Sequence, residues 1–485
     1  MRLAEVIKGV DIKGRYGSLE VDITDVVYDS RKISPGCLFI CIPGFKVDGH
    51  RFIHDAIKNG AAAAIVENDV EVEGITVVKV GDSRKTMPLL GSNFYDNPTE
   101  KLKLIGITGT NGKTTTTYLI ESILAHAKKK TSVIGTISIK IGKDKVDSSR
   151  TTPESVDLQR LFKEMVDKKI EYSIMEVSSH ALDLGRADHC SFRIGIFSNL
   201  TQDHLDYHKN FENYREAKKK LFYKTTVANI INIDDPHGRI IAEEIKDLKT
   251  PLMTYGIDSK ADIMAKDIEI TARGVRFTLV TPQYSIEIKN SIPGRFSVYN
   301  CLAAASAAYA EGIDKHAIKE GIGKLGNVPG RSEVVDIDKP YTVIIDYAHS
   351  PDGLVNILNS IRQYAKGRII TVFGCGGDRE TEKRPIMGEA AGRLSDYCII
   401  TSDNPRSEEP LSIIKQVEDG IKRTDCDYIC IESRRDAIKY ALTVAKQHDI
   451  VLLAGKGHET YQILKDGTIP FDEREIISEL IREEI

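Results

Sequence analysis

From about residue 330 to its end, the chain alternates short apolar runs with amphipathic segments. TVIIDYAHS, RIITVFGCGG, YCIITSDNPR, YICIES and IVLLAGKGHE read as strands, and GLVNILNSIRQYA, RPIMGEAAGRL, PLSIIKQVEDGIKR and RRDAIKYALTVAK as the helices between them. Strands this uniformly apolar need cover on both faces, which a parallel, doubly wound sheet supplies. Each strand runs into a polar or glycine-rich tail: DYAHS, GCGGDR, SDNPR, ESRRD and GKGHE. Ligands of such sheets bind outside the carboxyl ends of the strands, so the five tails are expected to converge on one crevice.

The same alternation starts earlier in a second form. At residue 101 a strand-like KLIGITG passes through TNGK into TTTTYLIESILAHA, where Leu119, Ile120, Ile123, Leu124 and Ala127 recur at helical spacing. Further strand-like runs follow at SVIGTIS, YSIMEVSS, RIGIFSNLT and ANIINIDD, while residues 1–100 mix short runs such as DITDVVYD, CLFICI and AAAAIVE with turn signals. At roughly 100–200 residues per domain, the 485 residues imply about three α/β domains. The compositional shifts place them at 1–100, 101–329 and 330–485, a small α/β domain, a central parallel-sheet domain and a Rossmann-like doubly wound domain.

Composition narrows the function classes. Lys and Arg number 67 against 71 Asp and Glu, a net charge of −4, which argues against a nucleic-acid binder. No apolar run approaches the ~18 residues of a membrane span, and the opening MRLAEVIKGVDIKG lacks the apolar core of a signal peptide. A cytoplasmic location is therefore expected. In that compartment the eight cysteines, mostly inside apolar runs, read as reduced core thiols. The pairs Cys37/Cys41 and Cys426/Cys430 lack the spacing of a zinc site.

The sharpest local signal is Gly106-Ile-Thr-Gly-Thr-Asn-Gly-Lys-Thr-Thr115, between a strand and a helix as a phosphate loop requires. Backbone N–H groups of Gly109, Thr110, Asn111 and Gly112 can wrap phosphate oxygens, Lys113 can reach the β/γ oxygens, and the hydroxyl of Thr114, followed by Thr115, can hold Mg²⁺. Ile107 stands where the usual pattern has its first glycine. Glu176, ending the strand YSIME, is either an Mg²⁺ ligand beside this loop or a solvated strand-end carboxylate. His204 and His208 stand four apart, but Leu205 replaces the glutamate that a zinc hydrolase needs. The segment Tyr214–Phe222, YREAKKKLF, reads by itself as a solvated basic helix face.

Taken together, GTNGKTT at 109–115, EVSSH at 176–180, DHLDYH at 203–208, YREAKKKLF at 214–222, SVYN at 297–300, PGRSE at 329–333, DYAHSP at 346–351 and DNPR at 403–406 resemble the Mur ligases, as does DSRKISPGCLFICIPG near the start. The resemblance spans essentially the whole chain and includes the shortened phosphate loop, so Ile107 is a family trait. It implies an N-terminal domain for the UDP end of a nucleotide sugar, a central ATPase domain and a C-terminal domain that brings an amino acid. Lys113, Glu176, His204 and Lys218 then form the catalytic set. Thr114 and Glu176 would hold one Mg²⁺ and His204 a second. Lys218 matches a lysine carbamylated by CO₂, which replaces the solvated-face reading. Asn300, Arg331 and Asp346 match nucleotide contacts. Ser30, Thr151, Thr152, Ser178 and Arg186 match contacts to a UDP-muramoyl dipeptide. Arg150 and Leu184 stand where some relatives carry Asn and Gln.

The tetrad Asp403-Asn404-Pro405-Arg406 resembles members that add meso-diaminopimelate, with Arg379, Gly455 and Glu459 as the remaining amino-acid contacts. A guanidinium fork suits a distal carboxylate, and Glu459 a distal ammonium. The implied reaction is ATP-dependent amide formation through an acyl phosphate, with Mg²⁺, by a monomer with small-molecule substrates only. Rival readings are an L-lysine-adding sibling, which has no use for Arg406, a folylpolyglutamate synthetase-like ligase, which needs no DNPR, and a non-catalytic ATP-binding module, which would have lost Lys113, Glu176 or Lys218.

Overall fold

The computed structural model describes residues 1–44, 47–148 and 150–483. Its packing separates two units, one of Met1–Leu200 with His204–Tyr255 and Ala303–Ile313, the other of Thr201–Asp203 with Gly256–Leu302 and Asp314–Ile485.

The first unit contains two sheets. In one, Ile12–Tyr16 pairs antiparallel with Thr76–Val80, followed in parallel by Ala63–Val66, Leu38–Ile40 and Val26–Val27. In the other, Lys103–Thr108 is flanked in parallel by Tyr172–Glu176 and Phe192–Phe197. Thr131–Ile134 and Thr225–Asn232 extend it on either side. Every residue of Tyr172–Glu176 is buried, as is most of Lys103–Thr108, which is why both segments are apolar without alternation. Glu176 pairs with Ile107, so its carboxylate stands at the carboxyl end of the sheet beside the phosphate loop. The helix Lys113–His126 buries Leu119, Ile120, Ile123 and Leu124, the face its sequence spacing predicts. The helix Ser155–Asp167 joins the sheets: Val156 enters the core of the five-stranded one, Asp157 accepts a hydrogen bond from Tyr28, and Arg160 pairs with Asp25 at 3.0 Å.

The second unit carries an antiparallel meander of Ile263–Thr271, Gly274–Val280 and Ser285–Asn290. It also carries a sheet in the order Glu333–Val335, Thr342–Asp346, Ile450–Ala454, Ile369–Phe373, Tyr397–Ile400, Asp427–Cys430. All but Glu333–Val335 run parallel. The strands and helices expected after residue 330 are all present among the described residues, the helices at Pro351–Arg362, Lys383–Leu394, Pro410–Ile421 and Arg434–Val444. The hairpin Tyr461–Leu464 with Gly467–Pro470 and the helix Glu473–Arg482 add to them. Separate apolar layers cover the two faces. No described helix is long and apolar enough to cross a membrane.

One expectation needs correction here. Six cysteines are buried, but Cys426 is half-buried and Cys430 exposed. The cause is sheet order: Asp427–Cys430 is an edge strand, so the apolar run YICIES is covered on fewer sides than its composition suggests.

Behind the carboxyl ends of this sheet lies a fully buried ion pair. Arg434 donates from Nε to Glu473 at 2.8 Å and from Nη2 to the Ala454 carbonyl at 2.9 Å, and both side chains have no exposed surface. Removing one partner strands a charge in low dielectric, so Glu473→Ala should lower unfolding stability by about 3–5 kcal/mol. The double change Arg434→Met with Glu473→Leu should recover most of that loss, as measured by urea denaturation.

Candidate active site

The phosphate loop is held from the neighbouring strand. Gly109 has φ +148°, and a Cβ there would lie 1.9 Å from Ser198 Oγ, so no other residue fits. Thr110 N–H donates to the Asn199 carbonyl and Asn111 N–H to Asn199 Oδ1, both at 2.9 Å, while Ser198 Oγ–H donates to the Asn111 carbonyl at 2.6 Å. Lys113 Nζ donates back to the carbonyls of Gly109 and Thr110 at 2.9 Å. The helix Lys113–His126 opens directly after Gly112, so its N-terminal N–H groups and dipole are available to an anion at the loop. Ser198 and Asn199 were legible only as a strand end. The available clue was a polar pair leaving the strand next to the one that feeds the loop.

Glu176 is 1% exposed, which excludes the solvated alternative. Its carboxylate accepts from Thr114 Oγ1–H at 3.1 Å, Thr136 N–H at 2.9 Å and Thr136 Oγ1–H at 3.0 Å. The network continues outward. Thr136 Oγ1 lies 3.1 Å from Thr151 Oγ1, Thr152 Oγ1–H donates to the Glu176 carbonyl at 2.8 Å, and Ser178 N–H donates to Thr152 Oγ1 at 3.1 Å. Arg186 reaches the Thr152 carbonyl at 3.3 Å and Glu154 at 2.8 Å. Thr151, Thr152, Ser178 and Arg186 are thus brought together with Glu176, through a Thr136 that the motifs do not single out. Ser30 opens the turn Ser30–Lys32. Among the described residues no group of three or more His, Cys, Asp or Glu side chains is gathered for a metal. The hydroxyl and carboxylate of Thr114 and Glu176 are hard oxygen donors side by side. That suits Mg²⁺, which keeps much of its shell as water and phosphate oxygen.

A second cluster adjoins the loop, with Thr110 Oγ1 3.3 Å from the Tyr214 hydroxyl. His204 has φ +53° and precedes the short helix Leu205–His208, so the two histidines are not one helical pair. The His180 and His204 rings lie 4.8 Å apart, and His208 stacks on Tyr214 at 4.8 Å. Burial, reinforced by His180, pulls His208 down to about 4, leaving its ring neutral at physiological pH. Lys218, on the helix Phe211–Lys219, is 1% exposed with its ammonium 4.3 Å from the Tyr214 ring centre. Tyr214, Ala217 and Lys218 form the buried face. The solvated-face reading therefore fails for Lys218. It holds for Lys220, exposed and paired with Asp183 at 2.8 Å, whereas the Lys219 side chain is only 14% exposed and lies against Glu244 at 2.8 Å.

In the second unit, Asp346 accepts from the N–H groups of Ser332 at 2.7 Å and Ala348 at 2.9 Å, and Arg331 lies 5.2 Å from the Tyr347 ring centre. Burial pushes the Asp346 carboxyl up against the opposing pull of Arg331. Asn300 is buried in the helix Arg295–Ala310.

The strand tails meet in the same unit. Asn404 Nδ2 donates to Glu459 Oε2 at 2.9 Å, Gly455 has φ +114° and leaves no room for a Cβ against Asp403, and Tyr347 packs on His458 at 4.8 Å. Arg406, at φ +53°, donates to the Gly377 carbonyl at 2.7 Å. Arg384, fully buried, forks onto Glu408 at 2.8 Å and reaches the Gly376 carbonyl at 3.2 Å, and Asp378 N–H donates to the same carboxylate at 2.6 Å. Those donors hold Glu408 at about 2, Arg384 foremost. Arg379 stays exposed on its loop, its Nη1 on the Asp378 carbonyl at 3.3 Å. Four tails therefore meet. The fifth, ESRRD, meets SDNPR through the Glu432 carbonyl, which accepts from Ser402 N–H and Thr401 Oγ1–H at 3.2 Å, while Arg434 turns inward to Glu473. The motifs also miss Lys456 and Arg384, buried cations that look like surface residues in sequence.

Residues 107–308 match the Mur ligase middle domain, 330–457 the Mur ligase glutamate ligase domain, and 22–98 the Mur ligase family catalytic domain. A UDP-N-acetylmuramoyl-L-alanyl-D-glutamate–2,6-diaminopimelate ligase of Clostridioides difficile (strain 630) is 51% identical over 481 residues, 99% of each chain. The protein of that name from Alkaliphilus metalliredigens (strain QYMF) is 50% identical over 485 residues, 100% of this chain and 98% of its own. A solved structure of such a ligase superposes with a TM-score of 0.73 at 31% identity, covering 100% of this chain and 99% of the other. The chain belongs to the Mur ligase family.

Proposed function

We propose that this protein is the ATP-dependent ligase that joins meso-diaminopimelate to the D-Glu γ-carboxylate of UDP-MurNAc-L-Ala-D-Glu, forming ADP and phosphate, in peptidoglycan precursor synthesis. The observation that carries the choice of amino acid is a pair of opposite charges on joined loops. Arg406 belongs to the DNPR turn, and Glu459 is bonded to Asn404 of that turn at 2.9 Å. A distal end bearing both carboxylate and ammonium uses both charges, whereas L-lysine offers nothing to Arg406. A folylpolyglutamate-type ligase would use the phosphate loop without this arrangement.

The residues divide the work as three domains, 1–100 for the nucleotide sugar, 101–329 for ATP and 330–485 for the amino acid. Ser30, Thr151, Thr152, Ser178 and Arg186 hold the UDP-muramoyl dipeptide; the bonds tying Thr151 and Thr152 to Thr136 and Glu176 support this. Gly109 to Thr115 wrap the phosphates of ATP, and Asn300, Arg331 and Asp346 contact the rest of the nucleotide. The γ-carboxylate attacks the γ-phosphorus and ADP leaves, giving an acyl phosphate. The free amine of diaminopimelate then adds to its carbonyl carbon, loses a proton and expels phosphate. Lys113 and the helix N-terminus neutralise charge on the transferring group. Thr114 and Glu176 would hold one Mg²⁺, and His204 with a carbamylated Lys218 a second; bound there, the ions supply positive charge to the phosphates and developing oxyanion. Support for Lys218 is its burial beside the Tyr214 ring, where a charged amine is poorly solvated and a carbamate would add oxygen ligands. Arg379, Asp403, Asn404, Pro405, Arg406, Gly455 and Glu459 receive the amino acid. The enzyme works in the cytoplasm as a monomer.

Phosphate release with Mg-ATP, UDP-MurNAc-L-Ala-D-Glu and a panel of amino acids tests the reading. Turnover should be greatest with meso-diaminopimelate, and turnover no higher than with lysine or buffer would refute it. Arg406→Lys, which loses the bidentate fork, should raise KM for diaminopimelate about tenfold while KM for ATP stays within about twofold. Thr136→Val removes one donor to the Glu176 carboxylate and should lower kcat about tenfold, with Thr136→Ser close to wild type in the same assay.

A further inference from the structure

Between Gly455 and Gly457 stands a lysine with no exposed side-chain surface. Lys456 Nζ donates to Asn404 Oδ1 at 3.2 Å and to Glu459 Oε2 at 3.1 Å, and lies 5.8 Å from the ring centres of Tyr461 and Phe471. Desolvating an ammonium this completely is unfavourable unless its partners repay it. Both polar partners belong to the amino-acid loops.

Two consequences follow from the hydrogen-bond inventory. Asn404 Oδ1 accepts from Lys456 and from Ile463 N–H at 2.9 Å, which fixes the amide so that Nδ2 points to Glu459. Glu459 Oε2 thus receives two donors, Lys456 and Asn404, whereas among the described residues Oε1 receives none. One carboxylate oxygen is pinned and the other is presented.

Building on the functional reading above, we infer that Lys456 is a positioning residue for the incoming diamino acid: it clamps Asn404 and one oxygen of Glu459 so that the other oxygen meets the distal ammonium. Lys456 does not touch the substrate. It acts through Glu459, whose carboxylate its positive charge offsets. Its removal should leave Glu459 free to turn away, weakening amino-acid binding without disturbing ATP or the UDP-linked dipeptide.

The experiment is a double-mutant cycle on the full-length enzyme with Lys456→Met, Glu459→Gln and both, reading the three KM values, kcat and thermal midpoint. Lys456→Met is expected to raise KM for meso-diaminopimelate about tenfold, with KM for ATP and the dipeptide within about twofold of wild type. The double variant should be no worse than the poorer single one, since a residue acting through Glu459 has nothing left to position. An unchanged KM for the diamino acid, equal rises in all three KM values, or penalties that multiply in the double variant would overturn the inference. Should Lys456→Met not fold, Lys456→Gln, which keeps a donor without the charge, is read by the same criteria. Wild-type enzyme that does not turn over diaminopimelate overturns the functional reading itself, which separates that failure from this one.

Discussion

A carboxylate with 1% exposure at the end of a fully buried strand organises the first unit. Left alone, Glu176 would be costly to bury, and the chain meets that cost with three short donors from two segments: Thr114 at the start of the loop helix, and the backbone and hydroxyl of Thr136. Each donor is ordered in turn by the same oxygens. Because Thr136 also meets Thr151, and Thr152 binds the Glu176 carbonyl, one charge aligns the phosphate loop with the residues assigned to the phosphoryl acceptor. Phosphoryl transfer depends mostly on positioning and charge, so this alignment is where the fold contributes to chemistry.

The second unit repeats the device with opposite polarity. Arg384, Arg434 and Lys456 have no exposed side-chain surface, and each joins a carboxylate to a backbone or amide oxygen near a strand end. Arg384 ties the GCGGDR loop to Glu408 just after DNPR, and Lys456 ties GKGHE to Asn404. Buried pairs add little net stability over apolar packing, yet breaking one is costly, so they resist loop displacement. On the function proposed above, the loops that present Arg406 and Glu459 gain orientation from that resistance.

Period and turn chemistry made much of this legible in advance. Apolar runs uninterrupted by polar alternation revealed the parallel strands after residue 330, and strand, glycine turn and helix revealed the phosphate loop. What stayed hidden depends on tertiary neighbours. YREAKKKLF is a basic face by composition, but one helical stripe, Tyr214, Ala217 and Lys218, turns inward, Lys219 is largely covered against Glu244, and Lys220 stays exposed beside Asp183. Thr136 and Ser198 carry no motif because a hydroxyl becomes significant only through the atom opposite it. YICIES looked like core and is an edge, and ESRRD looked like part of the crevice but sends Arg434 to Glu473, since neither sheet order nor the helix Glu473–Arg482 is encoded locally.

The claim that Glu176 unites loop, ion and acceptor is tested most directly by the Mg²⁺ dependence of phosphate release in Glu176→Gln beside wild type. The amide keeps the size and one acceptor but loses the charge and half of the shared oxygens. The account predicts a midpoint for Mg²⁺ raised about tenfold or more together with a lower kcat at saturation. An unchanged Mg²⁺ midpoint with wild-type kcat would contradict it.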